Sequence, residues 1–300
     1  MRVLQKEDNY KLPKEIKLAK FAGFCYGVKR AVETVKKLKA ENPQRNICVL
    51  GELIHNSQVI EELVSLGIKS LSELPQKGEG ICVVRSHGES PQVFKQIEKV
   101  GFEVYDLTCP DVKKVQQKAI ELAKDGYYLV IVGKSQHPEV IAIRANAVQY
   151  SDKVIVADSI EQLRPYEKEL KEHKNIGVVV QTTQMISTLN EIIQYLTPLS
   201  KELHIANTIC RSTSMRQSEA KEMAKESDLM IVVGSKKSAN TSHLAEILKG
   251  ITKTIHIETD AELDNYKDLI AKSEKISVTA GASTPDSVIT KVMERLSVQK

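Results

Sequence analysis

Short, wholly apolar runs alternate along the chain with longer segments whose apolar residues recur every three or four positions. The runs ICVLG, YLVIVG and LMIVVG close on Gly51, Gly133 and Gly234. Continuous apolar runs of that length, stopped by glycine, predict strands buried on both faces. Val28, Ala31, Val32, Val35 and Leu38 share one helical face, as do Val112, Val115, Ala119 and Leu122. Met215, Ala220, Met223 and Ala224 repeat the pattern more loosely. A second set of apolar strands, ICVVRSHGESP, IGVVVQTTQM and ISVTAGASTP, runs into small polar loops. Each loop leads to a helix, with Val93/Ile97/Val100, Leu189/Ile193/Leu196 and Val288/Ile289/Val292/Leu296 as apolar faces. Ser90-Pro91, Thr284-Pro285 and His137-Pro138 read as an N-cap followed by a first-turn proline. Short strands trailed by similar turns are expected around SLSEL, ADSIEQL and ETDAEL.

These elements occur three times in one order. Each series starts at a cysteine that precedes a helix: Cys25 in FAGFCYGVKRAV, Cys109 in YDLTCPDVKKVQ and Cys210 in ANTICRSTSMRQ. The pattern predicts an α/β fold of three pseudo-equivalent units with small parallel sheets. Their expected bounds are 18–108, 109–206 and 207–300, after an N-terminal extension over 1–17. Ligands of parallel sheets bind at the carboxyl ends of strands, and the three cysteines and the polar loops all follow strands. A three-fold arrangement would bring these loops to one centre.

Composition narrows the function. The 300 residues are 41% hydrophobic and 27% charged, which suits a globular chain with a sizeable core. A net charge of +4 argues against a dedicated nucleic-acid binder. No apolar run reaches the length of a membrane span, and the N-terminal segment lacks an export-type apolar stretch, so a cytoplasmic location is expected. Five cysteines without such a segment point away from a disulfide scaffold.

Any one of these cysteines could be a core thiol, and Cys48 and Cys82, inside strands, fit that description. Packing alone does not call for the same residue at three equivalent strand ends. Three thiolates suit zinc, or an iron–sulfur cluster with one iron left open. His55, His87 and His137 lie in the same class of loop and could donate to phosphate or exchange protons. Glu139 opens the helix after His137-Pro138; it is either a favourable acid at a helix N-terminus or a proton carrier. Thr182, Thr183, Ser238, Asn240, Ser283 and Thr284 hold more hydroxyl and amide groups than capping needs, at helix N-termini that favour anions. Gly133-Lys134-Ser135 lacks the glycine that a P-loop needs five positions earlier, where Tyr128 stands, so nucleotide hydrolysis is not expected.

Eight motifs in order carry a family resemblance: GFCYGVKRAV, HN at 55–56, SHG at 86–88, TCP at 108–110, HPE at 137–139, QTT at 181–183, GSKKSANTSHLAE and TAGASTPD. From about Leu18 to Leu296 the chain resembles the 4-hydroxy-3-methylbut-2-enyl diphosphate reductases, which end the methylerythritol phosphate route to isoprenoids. The resemblance implies one 4Fe–4S cluster on Cys25, Cys109 and Cys210, at the centre of the three units. It assigns substrate contacts to His55, His87 and His137, proton delivery to Glu139 and the hydroxymethyl end to Thr182. Ser238, Asn240 and Ser283 match the diphosphate-binding side chains. Ala239 stands where many members have a second serine, leaving only its backbone N–H. Lys134, Lys236 and Lys237 receive no role.

The implied reaction is a reductive dehydroxylation giving isopentenyl and dimethylallyl diphosphate. The open iron acts as a Lewis acid, and Glu139 protonates the departing hydroxyl with help from Thr182 and His137. Electrons would come singly from a ferredoxin or flavodoxin, since the chain has no flavin or dinucleotide motif. Two alternatives stand beside it. A quinolinate-synthase-type dehydratase would turn over without a donor, and a zinc-stapled binding module would be colourless.

Overall fold

The structure, a computed structural model, describes residues 15–298. Among them, twelve strands form three four-stranded sheets, parallel throughout. The strands are β1 (Glu15–Leu18), β2 (Ile47–Leu50), β3 (Ile68–Leu71), β4 (Ile81–Val84), β5 (Glu103–Asp106) and β6 (Tyr128–Val132). They continue as β7 (Val154–Ala157), β8 (Asn175–Val180), β9 (Glu202–Ile205), β10 (Leu229–Val233), β11 (Thr254–Ile257) and β12 (Lys275–Ala280). The chain divides into two compact units, one from Cys25 to Ser214 and one joining the segment up to Phe24 with Met215 onward.

The Cys25–Ser214 unit holds two sheets, in the orders β3-β2-β4-β5 and β7-β6-β8-β9. Their central strands are the expected apolar runs: β4, β6 and nearly all of β8 are buried residue after residue. The helices Tyr26–Glu41 and Pro110–Lys124 start immediately after Cys25 and Cys109. Each buries the stripe that its periodicity marks, including Ala31, Val32, Val35 and Leu38 in the first and Val112, Val115, Ala119 and Leu122 in the second. Ser90 caps Pro91–Lys99 by accepting from the Val93 N–H at 3.2 Å.

The other unit has the order β11-β10-β12-β1. β1 therefore holds the place that β5 and β9 hold in the other two sheets. It pairs with β12 from Glu15↔Lys275 to Leu18↔Val278. Glu15–Lys17 of the expected extension, and Leu18 of the expected first unit, thus complete the sheet formed by the C-terminal part of the chain; residues 1–14 lie outside the described residues. In all three repeats the strand before the cysteine belongs to the sheet of the preceding repeat. The expected short strands also sit slightly earlier, at β3, β7 and β11, because SLSEL, ADSIEQL and ETDAEL supply mainly the turns after them.

Two further details depart from the sequence reading. Thr284 does not cap the last helix, which runs Asp286–Val298; its hydroxyl donates to the Val233 carbonyl at 3.0 Å. The helix Arg211–Lys225 has a loose apolar pattern because it buries Thr213, Arg216 and Gln217 beside Ala220 and Ala224.

Gly80 leads into β4 with φ +101°, and a Cβ there would lie 2.2 Å from the Asn46 carbonyl oxygen. Gly80→Ala should therefore destabilise the protein by more than about 1 kcal/mol, read from the urea midpoint at unchanged slope. An unchanged midpoint would mean that the strand entrance relaxes freely.

Candidate active site

The site of the Cys25–Ser214 unit is assembled at strand carboxyl ends. β6 and β8 pair in register up to Val132↔Val180, so the chain leaves both strands at one level. Beyond β6, His137 is the N-cap of Pro138–Ala147, and its Nδ1 accepts from the Glu139 N–H at 3.2 Å. Beyond β8 comes the QTT loop. Thr182 donates to Glu139 twice, from its backbone N–H to Oε1 and from its hydroxyl to Oε2, both at 2.7 Å. Glu139 is 1% exposed and Thr182 5%. Burial pushes the Glu139 carboxyl up to about 7, and the two Thr182 bonds only partly offset that. The helix-capping reading of Glu139 does not account for a carboxyl bonded to a different loop.

The histidines come together. His55 and His87 stack with centroids 4.7 Å apart, and His137 meets His87 edge-on at 5.3 Å. His55 Nδ1 lies 3.1 Å from Glu52 Oε2. His87 Nδ1 is buried without a hydrogen-bond partner among the described residues. Burial, then the His55, His137 and Arg85 charges, hold His87 well below the ordinary imidazole range. One ring nitrogen from each histidine falls within 4.8 Å of the others, a spacing that would fit a metal ion or one multi-oxygen anion. The Arg85 guanidinium disfavours added positive charge here, which favours the anion.

The three cysteines are free thiols. The charge of Cys25 raises both Cys109 and Cys210, which places the three sulfurs in one electrostatic neighbourhood. Burial is the larger cause of both shifts, and N–H groups of the following helices work against it. Thr213 donates its N–H to the Cys210 sulfur at 3.4 Å, with its hydroxyl 3.1 Å from the same sulfur. A Cβ on Gly27 would stand 2.7 Å from the Cys109 sulfur, so glycine leaves the room that sulfur takes. Half-buried thiols, with N–H groups of the following helices turned to Cys109 and Cys210, fit a cationic metal group, which would hold all three as thiolates.

Backbone bonds tie the loops to the cysteines. The Cys109 N–H donates to the Ser86 carbonyl at 2.9 Å, and the Cys210 N–H to the Thr182 carbonyl at 3.0 Å. Sequence reasoning gave no role to Arg30, whose guanidinium donates to the Leu107 and Thr108 carbonyls at 3.1 and 2.8 Å. Arg216, in the other unit, does the same for Phe21 and Gly23 at 2.9 and 2.6 Å. Both arginines lie in the helices after cysteines and hold the loop before the next cysteine in the cycle. An arginine at a similar offset in two repeats was the available signal.

The remaining predicted residues belong to that other unit, on loops after the paired strands β10 and β12. Ser238 is the buried N-cap of Ala239–Lys249, yet its side chain makes no capping bond. Asn240 is buried, and its Nδ2 lacks a hydrogen-bond partner among the described residues. Ala239 is half-buried and Ser283 buried. Lys236 instead pairs with Glu262 at 3.0 Å.

With this geometry in view, the comparisons with known proteins are direct. Residues 16–297 match the profile of the LytB protein family. The chain belongs to that family. A LytB-family relative from Geobacter sulfurreducens, a 4-hydroxy-3-methylbut-2-enyl diphosphate reductase, is 42% identical over 94% of this chain and 96% of its own length. The Aquifex aeolicus reductase is 37% identical over the same shares. Among solved structures, a 4-hydroxy-3-methylbut-2-enyl diphosphate reductase described as the terminal enzyme of the non-mevalonate pathway aligns with TM-score 0.70 and 37% identity, covering 94% of this chain and 99% of that one. The Plasmodium falciparum reductase aligns with TM-score 0.85 and 27% identity, covering 94% and 87%. No helix among the described residues is long and apolar enough to cross a membrane.

The Glu139 carboxyl gives a stability signature. Unfolded, it ionises near 4.5; folded, near 7. Below the lower value both states hold the proton. As pH rises through the window the unfolded state alone ionises, so stability falls, by about 3 kcal/mol in full. The stability gained by Glu139→Gln over wild type should therefore grow by about 2 kcal/mol between pH 5 and pH 8, measured by urea unfolding. A pH-independent difference would place the carboxyl at its ordinary value.

Proposed function

We propose that this chain reduces 4-hydroxy-3-methylbut-2-enyl diphosphate to isopentenyl and dimethylallyl diphosphate. The reading rests on LytB-family membership together with one observation: a fully buried carboxyl near pKa 7, gripped by a threonine whose own carbonyl holds the Cys210 N–H. A 4Fe–4S cluster on Cys25, Cys109 and Cys210 would supply single electrons and a Lewis-acidic iron. Cys48 and Cys82 are not its ligands. The electrons originate in an external one-electron donor such as ferredoxin or flavodoxin. A cytoplasmic location goes with such a partner and with a charged, diffusible substrate.

The side chains divide the remaining work. Loss of hydroxide from an allylic carbon needs an acid, and Glu139 is protonated at neutral pH to a degree that an ordinary glutamate is not. The Thr182 hydroxyl donates to Glu139 Oε2 and so sits where it can pass a proton toward the hydroxymethyl end of the substrate. The His137 ring fixes the first turn bearing Glu139 and supports the same proton path. His55 and His87 offer ring nitrogens to the anion, and the unpartnered His87 Nδ1 gains a partner when it arrives. Ser238, Asn240 and Ser283, with the Ala239 N–H, take diphosphate oxygens through neutral donors and a helix N-terminus. A non-redox dehydratase would not need a donor, and a zinc module would not need a carboxyl poised near neutrality.

An anaerobic assay with a chemically reduced donor and the diphosphate substrate tests the proposal, donor-free turnover being the result that would sink it. In that assay Glu139→Gln should lower kcat by about 10²–10⁴-fold at unchanged iron content and nearly unchanged KM. Near wild-type turnover would remove Glu139 from the proton path. Asn240→Ala should raise KM, whereas Lys236→Ala, already paired with Glu262, should not. An equal loss from the lysine would show that the anion site is a basic clamp.

A further inference from the structure

Cys48 and Cys82 take no part in the reaction, yet they are not two isolated core thiols. β2 and β4 pair in parallel with Cys48 directly opposite Cys82. Both side chains lie on one face of the sheet, in the same buried cluster as Ile97 and Phe102. Register partners on neighbouring strands stand about 4.8 Å apart. That falls within the roughly 4.4–6.8 Å between Cα atoms that a disulfide spans. Side chains of such partners project alongside each other rather than toward each other, so the bond would be strained and easily reduced.

Both cysteines are buried, Cys48 at 6% exposure, and they differ in what borders them. Cys82 is fully enclosed, whereas Cys48 lines a cavity of about 490 Å³ on the β2–β3 side of the sheet. Lys69 is the register partner of Cys48 on β3 and lines the same cavity, together with Lys77, Glu79 and Phe102. The volume falls within the range of small-molecule pockets, and two lysines against one glutamate favour an acidic guest. The neighbouring sulfurs hold Cys48 below its ordinary value and push Cys82 up, and the Cys48 thiol donates to the Ile81 carbonyl at 3.6 Å. Cys48, the residue that borders the cavity, is thus also the better nucleophile.

We propose that Cys48 and Cys82 are a reversible redox pair, with Cys48 reached through this cavity by an acidic low-molecular-weight disulfide. In the first step the Cys48 sulfur bonds to one sulfur of the small disulfide. The small S–S bond breaks, and the departing thiolate takes the Cys48 proton. In the second step Cys82 attacks Cys48, the mixed disulfide breaks, and a second small thiolate leaves with the Cys82 proton. The protein thiols lose two electrons and the small disulfide gains them, giving one protein disulfide and two small thiols.

The probe is oxidised glutathione, added anaerobically to the iron-loaded protein, followed by acid quenching, alkylation and peptide mapping. The expected product joins the Cys48 and Cys82 peptides with loss of two hydrogens, and dithiothreitol restores both thiols. Cys82→Ser should trap glutathione on Cys48, while Cys48→Ser should leave Cys82 unmodified. Recovery of both wild-type cysteines as alkylated thiols would overturn the proposal. So would glutathione stably held on Cys48 of the wild type, or modification of Cys82 in Cys48→Ser. The wild-type mapping needs no variant to fold, and its outcome is independent of the reductase activity.

Discussion

Parallel pairing of β6 with β8 is the constraint on which the Glu139–Thr182 contact depends. Because Val132 and Val180 leave the sheet in register, the loops behind them meet, and Thr182 reaches Glu139 with both its N–H and its hydroxyl. The Gln181 N–H still donates to the Val132 carbonyl, so the loop starts as a continuation of the ladder. Gly133 permits the approach, since a Cβ there would come within 2.8 Å of Gln181 Oε1 and of Val140. One threonine peptide then serves two centres, its N–H on the carboxyl and its carbonyl on the Cys210 N–H. A one-residue slip in that ladder would separate the acid from the loop that holds the thiol.

The same arrangement explains why the acid is costly to keep. A carboxyl sealed from water loses hydration that two donated hydrogen bonds only partly replace, and the proton that remains is the compensation. Cys109 and Cys210 face the same problem. Burial disfavours the thiolates of Cys109 and Cys210, and N–H groups of the following helices offset that only in part. The fold thus keeps a carboxyl and two thiols whose charged forms it only partly supports.

Much of this was legible in the sequence because parallel α/β units write themselves as buried strands, glycine stops and amphipathic helices. The runs at 47–50, 128–132 and 229–233 could be read directly, and so could the cysteine-led helices. What escaped was non-local. β1 has four residues and a half-exposed pattern, and its partner lies at the other end of the chain. Arg30 and Arg216 look like surface charges on amphipathic helices, and only their carbonyl partners reveal them as anchors. Thr284 carries a capping residue's signature, yet its hydroxyl is drawn to the Val233 carbonyl beside it in space. The residues left Glu139 open between a helix-start acid and a proton carrier, and its bonds with Thr182 could come only from the folded chain.

The position of β1 bears on how the protein is made. Its partner, Lys275–Ala280, leaves the ribosome only after every strand of the other two sheets, so the strand leading into Cys25 must wait through their synthesis. The other two sheets can close as soon as their own strands emerge. Lys275–Ala280 must therefore be in hand before the entry to Cys25 is set. A ribosome stalled short of residue 275 would carry two finished sheets and a first cysteine whose leading strand has nothing to pair with.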